Sequence, residues 1–239
     1  MRGYRSGPEL PVDLVLRSRF NPQLNKVWFG AVMEVVTIIT AMAVVLTGAA
    51  LIREREHGTV EHLLVMPVTP FEIMCSKLWA MSLVALAASA LSLTFVVRGF
   101  LGVPIEGSVA LFFAGATLNL FAATSLGIFL GTIARSMPQF GLLLFMVLLP
   151  MQILSGAGGV IRAQALSGGV APHEGLSGVI QFVMQAAPTT HFVKLAQAVL
   201  FRGAGFSVVW PQFASLAAIG IILFLLSLAR FRKTLGTMA

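Results

Sequence analysis

The stretch FGAVMEVVTIITAMAVVLTGAALI, residues 29–52, carries Glu34 as its only charged side chain and is followed at once by REREHGTVEHLLVMPVTP, residues 53–70. An α-helix rises about 1.5 Å per residue and the hydrocarbon core of a bilayer is about 30 Å thick, so about 20 apolar residues cross it. Residues 29–52 meet that length, and the charged run after them marks the return to water. A membrane-length helix with an abrupt charged end decides how the rest of the chain is read.

Four further apolar runs follow, at residues 78–97, 109–133, 137–154 and 208–229. The run 137–154 reaches only about 27 Å and contains Pro150, so it tilts little, thins the lipid or breaks near its far end. Trp28, Trp79 and Trp210 fall within a few residues of span ends, where amphipathic indoles sit. Over its 239 residues the chain is 57% hydrophobic and 10% charged, with a mean hydropathy of +0.92. Soluble domains carry about 25% charged residues, so a soluble globular protein is excluded. The apolar content excludes disorder, and Cys75, as the single cysteine, excludes an internal disulfide framework. The net charge of +7 comes from basic residues scattered at the ends of apolar runs, which fits anionic lipid and not nucleic acid. The fold class is therefore all-α, a polytopic transmembrane helical protein of about five spans.

Punctuation agrees with these spans. Ser136-Met-Pro-Gln139 and Thr69-Pro-Phe-Glu72 each place a capping hydroxyl three residues before a Gln or Glu, with Pro in the first turn. The second helix is thus expected to begin in water near Pro70 and run unbroken through Lys77 into the membrane. Gly58-Thr59 reads as a helix stop and a new cap, which isolates a short helix at residues 59–66 before Pro67 and Pro70. Between the fourth and fifth spans, residues 178–187 are apolar and helical, Pro188-Thr189-Thr190 is a break, and residues 191–201 form an amphipathic helix ended by Gly203. That late segment is interfacial or re-entrant. Residues 1–28 alternate in polarity around positions 12–20 like a strand and read as the remnant of a larger extramembrane domain. Arg230, Arg232 and Lys233 after the last span are matched by Arg17, Arg19 and Lys26 before the first, so charge bias leaves the orientation open.

The charged island from Arg53 to His62 contains Glu54, Arg55, Glu56 and Glu61, with Val60, Leu63 and Leu64 forming an apolar face between capped ends. A plain loop needs no such face. A short rigid knob with a charged base suits docking into a groove on a soluble partner. His57, Glu61 and His62 lack the spacing of a helical zinc site, and Gly58 breaks the helix that would align them, so no metal centre is expected. No GxSxG turn supports nucleophilic catalysis. Within the spans, Glu34 reaches to the headgroups or lines a substrate route, while Thr117, Asn119, Thr124, Ser125 and Gln152 are expected to face helix interfaces. Gly127 and Gly131 are spaced for close helix approach.

The run Arg53-Glu54-Arg55-Glu56, then Gly58-Thr59, Glu61, Leu64 and Pro67, resembles the hallmark of the ABC-2 type permeases, membrane subunits of a class of ATP-binding-cassette exporters. Phe20-Asn21-Pro22, Lys77, Pro188 with Thr190 and the basic tail from Arg230 fit in the same order, so the resemblance covers essentially the whole chain. It is most similar to the bacterial inner-membrane drug-exporter-like permeases of that family. The resemblance implies a cytoplasmic coupling segment at residues 53–77 within a transmembrane domain at 29–239, a cytoplasmic C-terminus, and an external side carrying the N-terminal strand and the loop at 155–207. It implies a second permease subunit, identical or related, and a separate cytoplasmic ATPase that binds ATP and Mg.

The residue roles follow from that resemblance. Gly58 and Thr59 would fix the bend. Arg53, Glu54, Arg55, Glu56 and Glu61 would hold the base or meet the partner. Val60, Leu63 and Leu64 would fill a cleft on the ATPase, and Pro67 and Pro70 would keep the knob separate from the next helix. Leu166-Ser-Gly-Gly169 imitates an ATPase signature, but the sequence contains no Gly-Lys pair from which a phosphate loop could be built, so no cofactor is expected in this chain. Family members have six crossings with an external domain between the first two; this sequence is expected to begin inside that domain. The alternative expectation is an N-terminally truncated, transport-incompetent permease.

Overall fold

A backbone in hydrocarbon has no water to bond, so each N–H and C=O must be paired within the segment. Accordingly, every regular element described in the structure, a computed structural model covering residues 26–57, 69–100, 102, 107–154 and 185–236, is a helix. In chain order these are α1 (Lys26–Glu56), α2 (Pro70–Leu91), α3 (Val109–Ile133), α4 (Met137–Leu154), α5 (Pro188–Ala196) and α6 (Phe206–Gly236). A π-helical turn at Ser92–Phe100 prolongs α2, and another at Gln197–Phe201 prolongs α5. Portions of α1, α2 with its extension, α3 and α6 are long and apolar enough to cross a membrane, and α4 is the shorter apolar helix. Pro150 stays inside α4, which continues past it to Leu154. The strand expected near residues 12–20 and the short helix at 59–66 lie outside the described residues, as do residues 155–184.

The central helix is α3, buried on nearly all sides from Asn119 to Thr132. Lipid tails are as apolar as leucine, so association of helices in a bilayer relies on close packing and interhelical hydrogen bonds more than on the hydrophobic effect. The sequence supplies both along α3. A Cβ placed on Gly127 would lie 2.5 Å from the Val44 carbonyl oxygen, and one on Gly48 would lie 2.8 Å from the Gly127 carbonyl oxygen. Glycine is required there because the backbones of α1 and α3 nearly touch. On the other flank Gly220 of α6 approaches the Phe121 ring, and Ser227 Oγ donates to the Ser125 carbonyl at 2.7 Å.

The late segment is packed into the bundle. The apolar face of α5 and its extension, Phe192, Leu195, Val199 and Leu200, is packed among Val32, Met33 and Val36 of α1, Phe112 and Ala116 of α3, and Val209 and Leu216 of α6. Helix α5 starts at Pro188, three residues earlier than the expected helix at 191–201. Proline opens a helix without loss because its missing N–H would have had no intrahelical partner. Gly203, at φ +62°, ends the segment. Large apolar side chains stay exposed on the outer faces: Trp79, Leu83 and Phe95 on the α2 arm, Leu142, Phe145 and Met146 on α4, Ile222 and Leu225 on α6.

Candidate functional site at the charged end of the bundle

The C-terminal ends of α1, α3 and α6 and the N-terminal ends of α2 and α4 meet at one end of the bundle. An apolar floor of Leu51, Met74, Ile128, Leu228 and Phe231 seals it from below. Above the floor, α1 ends in Arg53-Glu54-Arg55-Glu56. Successive helical residues are about 100° apart, so consecutive side chains here point at different neighbours.

Three of the four find a helix to hold. The Glu54 carboxylate forms an ion pair with Lys77 Nζ on α2, both side chains being largely shielded. Arg55 donates through Nη1 to the Ala134 carbonyl at 2.8 Å and through Nη2 to the Gly131 carbonyl at 2.9 Å. A helix C-terminus leaves its last carbonyls unpaired and carries a partial negative charge, which a planar guanidinium fork matches. Glu56 Oε1 accepts from the Met137 backbone N–H at 3.1 Å, placing a negative charge at the start of α4 where the dipole favours it. Arg53 is exposed, its carbonyl 2.7 Å from the His57 ring nitrogen Nδ1.

The two expected caps differ in outcome. At α2 the capping box forms: Thr69 N–H donates to Glu72 Oε2 at 2.7 Å, and Glu72 N–H donates to Thr69 Oγ1 at 3.3 Å. Pro70 occupies the first turn, as the spacing requires. At α4 the box is displaced, since Gln139 Oε1 accepts from the Arg135 N–H at 2.8 Å instead of from Ser136. The displacement follows from the turn being only residues 134–136, which leaves Arg135 N–H without another backbone partner close by.

Of the residues expected to couple, Arg53, Glu54, Arg55, Glu56 and Pro70 therefore lie at this end. Gly58, Thr59, Val60, Glu61, Leu63, Leu64 and Pro67 lie outside the described residues. Sequence reasoning missed the counterparts: Lys77 as partner of Glu54, and the Gly131, Ala134 and Met137 backbone as partner of Arg55 and Glu56. A usable signal was the short connection from 133 to 137, which forces two helix ends, one needing a cation and one an anion, to the same place as the charged island.

The polar span residues separate. Asn119 is buried and donates through Nδ2 to Thr40 Oγ1 of α1 at 2.8 Å; its Oδ1 has no partner among the described residues. Thr124 and Ser125 are buried on α3 with hydroxyls returned to the helix's own carbonyls. Thr117 is exposed in this chain, its hydroxyl donating to Phe113 O at 2.9 Å. Glu34 is exposed on α1, and Gln152 is half-buried.

The family model described as ABC-2 family transporter protein matches residues 6–229. The chain is 59% identical over 236 residues to the inner membrane transport permease YhhJ of Escherichia coli strain K12, covering 99% of this chain and 60% of the relative. It is 25% identical over 221 residues to the probable multidrug ABC transporter permease YbhR of the same strain, covering 92% and 56%. To the probable multidrug ABC transporter permease YbhS it is 28% identical over 195 residues, covering 80% and 48%. The chain thus spans about half to three fifths of the length of these relatives. With its apolar helices, this places it among multi-pass inner-membrane permeases, and the chain belongs to the ABC-2 family of transporter proteins.

Proposed function

We propose that this chain is the membrane-spanning permease subunit of an ATP-binding-cassette exporter, driven by a separate cytoplasmic ATPase docked at the charged end of the bundle. One observation carries the reading. The end of α1 delivers three consecutive charged side chains to α2, to the end of α3 and to the start of α4, so a force applied through residues 58–68 reaches all three helices at once. In this reading Gly58 and Thr59 bend the chain, Val60, Leu63 and Leu64 fill a cleft on the ATPase, Glu61 faces it, and Pro67 and Pro70 isolate the knob. The charged end and the C-terminus are cytoplasmic, ATP and Mg are held by the ATPase, and two permease subunits, identical or related, enclose the route. The names of YbhR and YbhS support drug-like molecules as the cargo.

The test uses the full-length chain co-expressed with its ATPase, carrying Cys75→Ala and Glu61→Cys. A thiol-directed crosslinker is expected to capture the ATPase subunit, and a membrane-impermeant thiol reagent applied from the periplasm is expected to leave residue 61 unlabelled. Gly58→Val and Glu61→Arg are expected to depress ATP hydrolysis by the complex. Labelling from the periplasm, or hydrolysis indifferent to both substitutions, would overturn the reading.

A further inference from the structure

The helices of this bundle are not tied to one another equally. Between α1 and α3 there are two glycine close approaches, the Asn119 to Thr40 hydrogen bond at 2.8 Å and the two-armed Arg55 contact. Between α3 and α6 there are the Gly220 approach and the Ser227 hydrogen bond. Among the described residues, the single polar contact of α2 with another helix is the Lys77 to Glu54 ion pair at its very end. The most apolar window is 56% buried in α1 and 50% in α3, against 28% in α6 and 22% in α2, the least buried of the four. The π-helical turn at Ser92–Phe100 lies at the opposite end of the same arm. π-turns are among the places where helices kink, and α5 carries one too.

We infer that α1 and α3 move as one rigid lever, with Arg55 as the positioning residue that fixes them to each other, while α2 is the arm that swings against them. The inference rests on the coupling reading above and adds which helices move together. Packed interfaces with backbone in near contact are bistable at best and resist sliding. The α1 to α3 seam is such an interface along its whole length, from Asn119 to the charged end. The α2 arm packs through Met74, Leu78, Ala85, Leu93 and Val97, but its one polar tie to another helix among the described residues is the half-buried Glu54 to Lys77 ion pair, which sits at its end where it can part and re-form. Glu54 and Lys77 are therefore the contact that opens, and Arg55 with Gly131 and Ala134 the contact that stays closed.

The experiment compares two cysteine pairs in the Cys75→Ala full-length chain, assembled with the ATPase. Thr40→Cys with Asn119→Cys bridges α1 to α3, and Glu54→Cys with Lys77→Cys bridges α1 to α2. Disulfide formation is measured without nucleotide and with trapped ATP, and ATP hydrolysis is measured before oxidation, after it and after reduction. The 40/119 pair is expected to form at the same rate in both states and to leave hydrolysis within about twofold. The 54/77 pair is expected to form more slowly with trapped ATP, and its bridge to stop turnover until it is reduced. A 40/119 bridge that stops turnover, or a 54/77 pair equally reactive in both states, overturns the lever. If either pair fails to form a disulfide, spin labels at the exposed Arg53, Ser76 and Arg135 report the same comparison: the distance from 53 to 135 is expected to hold and that from 53 to 76 to change. Failure of Glu61→Cys to capture the ATPase is a separate result, which overturns the coupling reading instead.

Discussion

Arg55 Nη1 donates to the carbonyl of Ala134 at 2.8 Å, so a residue at the end of α1 closes the end of α3 from 79 positions away in the chain. Its second arm reaches the Gly131 carbonyl at 2.9 Å. A lysine offers one ammonium where arginine offers a flat fork. Arg55→Lys is therefore expected to cost about 1 kcal/mol and Arg55→Ala about 2–3 kcal/mol, since the alanine leaves both carbonyls without their donor. Thermal unfolding of the detergent-solubilised protein checks the order; equal losses would show that the fork geometry is immaterial.

Glu56 meets the Met137 N–H from the adjoining position on α1. Glu56→Gln keeps an acceptor but loses the charge at the helix start, an expected loss of about 0.5 kcal/mol. Glu56→Ala removes the cap and is expected to cost about 1 kcal/mol. Amide exchange at Met137 is the local readout: it should quicken in the alanine variant and hardly change in the glutamine variant.

The glycines provide a graded series. A Cβ on Gly127 meets backbone, the Val44 carbonyl at 2.5 Å, so Gly127→Ala must push α1 and α3 apart and is expected to cost about 3 kcal/mol. A Cβ on Gly115 meets only the tip of the Leu195 side chain at 2.7 Å, which can turn aside, so a smaller loss is expected. Gly141→Ala meets nothing within 4 Å and should stabilise α4 by up to about 1 kcal/mol. Ranking the three by unfolding temperature tests the seam; a Gly127 variant as stable as the Gly141 variant would contradict it.

Asn119 and Thr40 are both buried and bonded across the α1 to α3 seam. Polar pairs between helices in a membrane couple by only about 0.6 kcal/mol, because the separated helices find other partners. A double-mutant cycle of Asn119→Ala and Thr40→Ala is expected to return a coupling of that size. A coupling near zero would mean that the seam owes nothing to this bond.

The spans were legible because a run of apolar residues without charge has few other fates. The cap at Thr69 and the stop at Gly203 were legible because their chemistry is local, whereas Pro188, read as a break, opens α5. What the sequence concealed is pairing across distance. Nothing within residues 53–56 announces that Arg55 would cap a helix ending at Ile133, because the partners are backbone carbonyls that any sequence supplies. The same holds for Thr117 against Asn119: both are polar residues in one apolar helix, and only the placement of α1 decides which is buried. The position of α5 also escaped, because an amphipathic helix of its length suits a membrane surface and a bundle interior equally well.

The seat of α5 bears on biogenesis. Among the described residues, the ties of Glu54, Arg55 and Glu56 to other helices lie between residues 54 and 137, so they can form before α6 arrives, while Leu228 and Phe231 of α6 complete the floor beneath them later. The opposite half of the core stays open until residues 188–201 arrive to cover Val32, Met33 and Phe112. Chains emerge from their N-terminal side at a pace slow enough for early segments to settle. During synthesis, then, the molecule passes through a stage latched at one pole and gaping at the other, and it is this gaping pole that quality-control proteases and insertion chaperones would meet.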